Sequence, residues 1–227
     1  MTEPDGLLAP LDAALDRAIA RLEKSEFLIR LRDGRDVRRL YEAYLKEAYH
    51  FVRLTSSFTP LGARRMPIEK REARQWLLHH SAHEMGHEDM ALADLVILGH
   101  PESSIRSSQP LPGTIAWRDF FFFQVSERPP FAALGVLFFL EGMAARLAPV
   151  VVGKVLPALE GETKRAISFV REHGELDLEH SADLRDILGR FASHEDVEVL
   201  VATIDQAGYA KRFLLDVLVE ATLETDR

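Results

Sequence analysis

Apolar residues recur along most of the chain at intervals of three and four, the spacing that lines one face of an α-helix, and long β-branched alternating runs are absent. The pattern predicts a first helix over Leu8–Lys24 and a shorter one over Glu26–Leu31, after which Asp33-Gly34 breaks the chain. A long helix follows over Val37–Phe58, ended by Pro60. Pro67 stands where a first helical turn would open and Glu69 follows it, so a third helix is expected from there to Leu98, with Gly99 as its stop. Pro101–Gly113, rich in Ser and Pro, reads as a loop that is long for a bundle connection. Helices are then expected over Thr114–Glu127, Phe131–Val155, Thr163–Phe191 and Glu195–Thr222, with Gly174 a candidate bend. No repeat, low-complexity tract or interdomain linker interrupts them. The expected fold is all-α: one helical bundle of about seven helices occupying residues 1–227 as a single domain.

Composition narrows the chemistry. The 227 residues are 47% hydrophobic and 28% charged, an ordinary balance for a globular protein with a core. The net charge of −8 offers no clustered basic surface for nucleic acid. There is no cysteine, which removes disulfides, thiolate ligands and cysteine nucleophiles. His, Asp and Glu remain as metal ligands, a set that suits iron, manganese or zinc. The first ten residues are acidic and poor in apolar side chains, unlike a signal peptide. The longest apolar run, Phe131–Leu140, stops at Glu141, whereas a membrane span needs roughly 20 residues. A cytoplasmic location is expected, with no membrane partner.

Four features carry candidate chemistry. Glu84 and His87 are spaced i, i+3 and would share a helix face. His173, Asp177 and His180 form a stripe with spacings of four and three. Glu141 stands alone behind ten apolar residues, and Glu47 lies in the predicted second long helix. In chain order this gives a carboxylate helix, a carboxylate-x-x-His helix, a carboxylate helix and a second carboxylate-x-x-His helix, the ligand logic of di-metal carboxylate bundles. His173 is an additional ligand candidate. Plainer readings stand beside these: Glu-x-x-His as a solvated face, Glu47 paired with Lys46 or Arg53, and Glu141 paired with Arg146. Glu141 argues hardest for a metal, because a buried carboxylate without a cation is costly. His50, His80 and His83 are spare histidines, read as orienting residues, alternative ligands or surface polar groups. Of Phe120–Phe123, some should enter the core, and core packing outweighs a tunnel lining.

The runs His83-Glu84-Met85-Gly86-His87-Glu88, Asp94-Leu95, Leu98-Gly99, Leu140-Glu141-Gly142 and His173 through His180 resemble those of the haem-oxygenase-like di-iron oxidases and oxygenases, also described as iron-containing redox enzymes or thiaminase-II-like proteins. The resemblance extends from about Glu42 to His180. It implies a haem-oxygenase-like bundle, two iron ions per chain, and Glu47, Glu84, His87, Glu141, His173, Asp177 and His180 as ligands. It also implies O₂-dependent oxidation of a small organic substrate, by C–H or N–H oxidation or oxidative C–C cleavage. The type that consumes a Tyr beside the ligand Glu is disfavoured, because Leu140 and Gly142 flank Glu141. Thiaminase II chemistry lacks its Cys. The expected partners are a small-molecule substrate and O₂, and a homodimer is compatible. The alternatives are a non-catalytic helical binding protein of the same fold and a ferritin-like di-metal carboxylate protein.

Overall fold

In the computed structural model, residues 4–224 are described, apart from the side chains of residues 4, 5 and 176–179. Among the described residues the regular structure is helical. The helices are α1 (Pro4–Leu22), α2 (Glu26–Arg32), α3 (Val37–Val52), α4 (Thr55–Arg65), α5 (Arg71–His83) and α6 (Glu88–Ile97). Then come α7 (Glu102–Arg106), α8 (Pro112–Ser126), α9 (Ala132–Val155), α10 (Ser168–Phe191) and α11 (His194–Glu224). Two 3₁₀ turns, Leu156–Ala158 and Gly161–Arg165, join α9 to α10.

Two long helices expected from the sequence are each divided. The first parts at Arg53-Leu54 into α3 and α4, and Pro60 lies inside α4 rather than ending it. Proline has no N–H to give to the carbonyl four residues back. That carbonyl, on Ser56, accepts instead the Ser81 hydroxyl of α5 at 2.7 Å. The freed acceptor therefore ties α4 to the helix that carries His80. The second divides at residues 84–87 into α5 and α6, where Gly86 adopts a left-handed φ of 92°. The expected loop over Pro101–Gly113 contains the short α7 and the first two residues of α8.

The core is built around α9, which packs against α10 and α11, while α1 lies along α11. With its 3₁₀ extension, α9 forms an apolar helix of 27 residues, long enough by length and composition to cross a membrane. The apolar run counted from the sequence is thus too short a measure of this helix. Here it is the central helix, with residues Ala132 to Phe139 all buried. α10 runs unbroken through Gly174. A Cβ there would lie 2.7 Å from the Ala148 Cβ, so the missing side chain is what lets α9 and α10 approach. Of the four phenylalanines, Phe121 is buried, Phe120 packs on the core, and Phe122 and Phe123 are exposed.

Candidate metal centre

The turn at residues 84–87 changes how Glu84 and His87 reach one another. They do not sit on a continuous helical face. The Glu84 N–H still bonds the His80 carbonyl at 2.9 Å, closing α5, and Gly86 then turns the chain into α6. Glu84 Oε1 and His87 Nδ1 come within 3.5 Å across the turn. His173 of α10 completes this set, its ring 4.9 Å from that of His87. A second set forms one turn earlier along α5, from His80, Glu141 of α9 and His180 of α10. Glu141 Oε1 is 3.4 Å from His80 Nε2, and Oε2 is 3.5 Å from His180 Nδ1. Within each set the potential ligand atoms lie within 4.8 Å of one another. His80 Nε2 stands 4.0 Å from Glu84 Oε1, which joins the two sets.

Protonation suits a cation. Burial lowers the His80 pKa to about 4 despite the opposing pull of Glu84, so its imidazole is neutral at pH 7. Burial likewise lowers that of His173. Burial pushes the Glu84 carboxyl up, but the His87 hydrogen bond and the facing imidazoles outweigh it and hold Glu84 below the ordinary carboxylate range. His173 Nδ1 lies 2.8 Å from the Phe169 carbonyl. A carbonyl only accepts, so the proton is on Nδ1 and the lone pair is on Nε2. His173 Nε2 and both ring nitrogens of His80 are buried and make no hydrogen bond among the described residues. The site thus holds unbonded imidazole nitrogens beside two buried carboxylates, a donor set that fits iron.

The surroundings aim these ligands. The Trp76 ring stacks on His80 at 4.8 Å, nearly parallel. Asp94 of α6 is fully buried and accepts the Phe169 N–H at 2.9 Å and the Ser168 hydroxyl at 2.7 Å. It therefore caps the first turn of α10, the turn whose Phe169 carbonyl fixes the His173 tautomer. Burial raises the Asp94 pKa, against the lowering effect of these hydrogen bonds.

The structure brings together five of the sequence candidates: Glu84, His87, Glu141, His173 and His180. Asp177 lies in α10 between the two histidines, and its side chain is outside the described residues. Glu47 is buried but stands in neither set; its Oε2 accepts the Leu111 N–H at 2.9 Å at the start of α8. Arg146, the plainer partner for Glu141, instead donates to Asp16 of α1. His80, which the sequence left open as an orienting residue, an alternative ligand or a surface group, stands with Glu141 and His180. A signal for it exists: His80-x₃-Glu84-x₂-His87 has the same spacing as His173-x₃-Asp177-x₂-His180. The two segments meet head to tail, so His80 pairs with His180 and His87 with His173. His50 bonds Ser108 away from both sets, and His83 is exposed.

The two candidate sets open on a cavity of about 120 Å³ lined by His80, Glu84, Glu141 and His173 and otherwise largely apolar.

The fold has counterparts among solved structures. A domain of unknown function with a haem-oxygenase-like fold from Shewanella denitrificans OS217 superposes with a TM-score of 0.85 at 22% identity, covering 100% of this chain and 96% of that one. A TenA homologue from Pseudomonas syringae pv. tomato DC3000 gives 0.74 at 15% identity, covering 95% and 92%. A CADD-like protein of unknown function from Nostoc punctiforme PCC 73102 gives 0.72 at 15% identity, covering 98% and 100%. No curated protein matches the chain. These likenesses define the class: the molecule has a haem-oxygenase-like helical fold, which displaces the ferritin-like alternative. Within that class, a family profile described as iron-containing redox enzyme matches residues 42–208. The chain belongs to the iron-containing redox enzyme family, and both ligand sets fall inside the matched span.

Proposed function

We propose that the chain is a non-haem di-iron enzyme that uses O₂ to oxidise a small organic substrate, by C–H or N–H oxidation or oxidative C–C cleavage. One observation carries this reading: two His₂-carboxylate sets face each other, with buried imidazole nitrogens that make no hydrogen bond among the described residues. His80, Glu141 and His180 would hold one ion, and Glu84, His87 and His173 the other. Two histidines and one carboxylate leave further positions open, as in non-haem iron oxygenases. Bound iron would supply the redox chemistry and the sites for O₂.

The protein's own groups do the rest. Trp76 and the Phe169 carbonyl hold two imidazoles in fixed orientations, and the apolar walls keep water from the reacting end of the substrate. Anaerobic titration with Fe(II) tests the reading, with about two ions bound per chain expected. Iron-dependent O₂ uptake should follow. A protein that binds no Fe(II) even anaerobically would be a helical binding protein and not this enzyme.

A further inference from the structure

Two histidines of α5 belong to neither candidate set. His79 and His83 stand one helical turn apart, both exposed, with their ring centroids 4.2 Å from each other. His80 and Glu84 repeat the i, i+4 spacing one residue further on and are buried. The end of α5 therefore carries two adjacent stripes of ligand-type side chains, one in water and one inside. Among the described residues neither His79 nor His83 takes part in a hydrogen bond or an ion pair, so no protein group competes for their nitrogens. The pair lies towards the C-terminal end of α5, where the last carbonyls carry partial negative charge and favour a cation. Two imidazoles at i and i+4 on one helical face are a chelating pair for a first-row divalent ion, with water filling the other positions.

The exposed pair also adjoins the candidate centre. The His83 ring lies 5.7 Å from that of His180, and His180 Nδ1 lies 3.5 Å from Glu141 Oε2. Side-chain exposure falls along this line, from the open His83 to 14% at His180 and 5% at Glu141. His80, the remaining member of that set, is 2% exposed. His180 thus neighbours both the surface pair and the buried carboxylate. An ion moving inward exchanges water for imidazole and then for a carboxylate, so binding tightens along the way. A transit site has to bind well enough to capture and weakly enough to release. Two imidazoles without a carboxylate meet both demands.

We propose that His79 and His83 form an outer divalent-metal site, from which ions reach the buried sets by way of His180. The outer site stands on the pair itself. Its role in delivery rests on the reading of the buried sets as the metal centre.

The probes are Co(II) for the outer site and anaerobic Fe(II) for delivery, each as the metal alone. Co(II) titration of the parent should show about one ion per chain that is at least about tenfold weaker than any held by the buried sets. That ion should broaden the NMR signals of the His79 and His83 rings, and it should be absent from the double variant His79→Gln/His83→Gln. Delivery is read as the rate of Fe(II) uptake at limiting metal, followed by tryptophan fluorescence, since Trp76 stacks on His80. The double variant should load at least about fivefold more slowly and reach the same final occupancy. His79→Glu, which keeps a ligand atom at that position, should load within about twofold of the parent. Circular dichroism confirms that the variants fold. No weak Co(II), a weak Co(II) that persists in the double variant, an unchanged loading rate there, or equal slowing in His79→Glu overturns the proposal. The two ideas fail separately. An outer Co(II) with no Fe(II) in the buried sets removes the di-iron reading alone. Buried sets that fill at the parent rate in the double variant remove the outer site alone.

Discussion

Glu141 and Lys211 of α11 are both charged side chains buried at the same apolar cavity, but their surroundings differ: Lys211 lies over the rings of Phe51, Trp117 and Tyr44. Glu141 has imidazoles on both sides, so its replacement should be felt in metal binding rather than in folding. Glu141→Ala is expected to lose about one of two bound irons while keeping its helix content, measured by anaerobic Fe(II) titration beside circular dichroism. His80→Ala should lose iron from the same set. Full loading in both variants would show that the assignment of this set is wrong. Lys211 affects stability in the opposite sense. Its pKa of about 7 in the folded protein lies below its ordinary value of 10.5, so between these pH values the unfolded chain binds more protons than the native one. The burial penalty is then complete at and below pH 7 and fades as pH rises through that window. Lys211→Met should accordingly raise the melting temperature most near pH 6 to 7, and its advantage over the parent should shrink towards pH 10. A constant difference across that range would mean that the ammonium is not buried uncompensated. Glu141 is legible in the sequence because ten apolar residues precede it. Lys211 is not: beside Arg212 on a mixed helix it reads as a solvated charge, and only the packing of α3 and α8 around it reveals otherwise.

At the level of elements, the helical spacing gives every long helix, and the breaks escape it. Nothing in Leu77 through Asp94 except Gly86 suggests that a helix must stop, because the amides at the break are satisfied by local turns and not by a capping residue. Glu84 and His87, expected on one helical face from their i, i+3 spacing, instead approach to 3.5 Å across a turn. Glu47 escaped for a related reason: a buried carboxylate can be satisfied by a backbone N–H, here that of Leu111, as well as by a cation. Gly174 is the reverse case, a residue that looks like a weakness in α10 and is a contact point. Gly174→Ala should destabilise the fold by about 1–3 kcal/mol in urea titration, because α9 and α10 would have to separate. Adding Ala148→Gly should recover much of that loss, since the clash would be between the two Cβ atoms. No recovery in the double variant would mean that helix propensity, not the crossing, governs position 174.

Over the whole molecule, the candidate centre draws its ligands from the end of α5 and the turn after it, from the middle of α9, and from α10. The other long contact, α1 along α11, is tied by Arg17 and Asp205 and contributes none of these ligands. Metal binding should therefore stabilise the two halves unequally. Buried Glu84 is held below the ordinary carboxylate range, and burial lowers the pKa of the facing His80 and His173, so a divalent ion would meet a carboxylate and neutral imidazoles there. A bound divalent ion links three segments that otherwise meet through side-chain packing. Ligand present at about a hundredfold over its Kd stabilises the native state by about 2.7 kcal/mol. In hydrogen exchange this gain should appear first where opening breaks the ligand sets. Anaerobic Fe(II) is expected to slow amide exchange over residues 77–90 and 171–182 markedly more than over residues 205–220 of α11. The His80→Ala and Glu141→Ala proteins should show a smaller effect. Equal slowing everywhere would mean that iron acts on global unfolding alone, and no slowing near residues 171–182 would mean that α10 presents its acidic residues to solvent and its histidines to no ion.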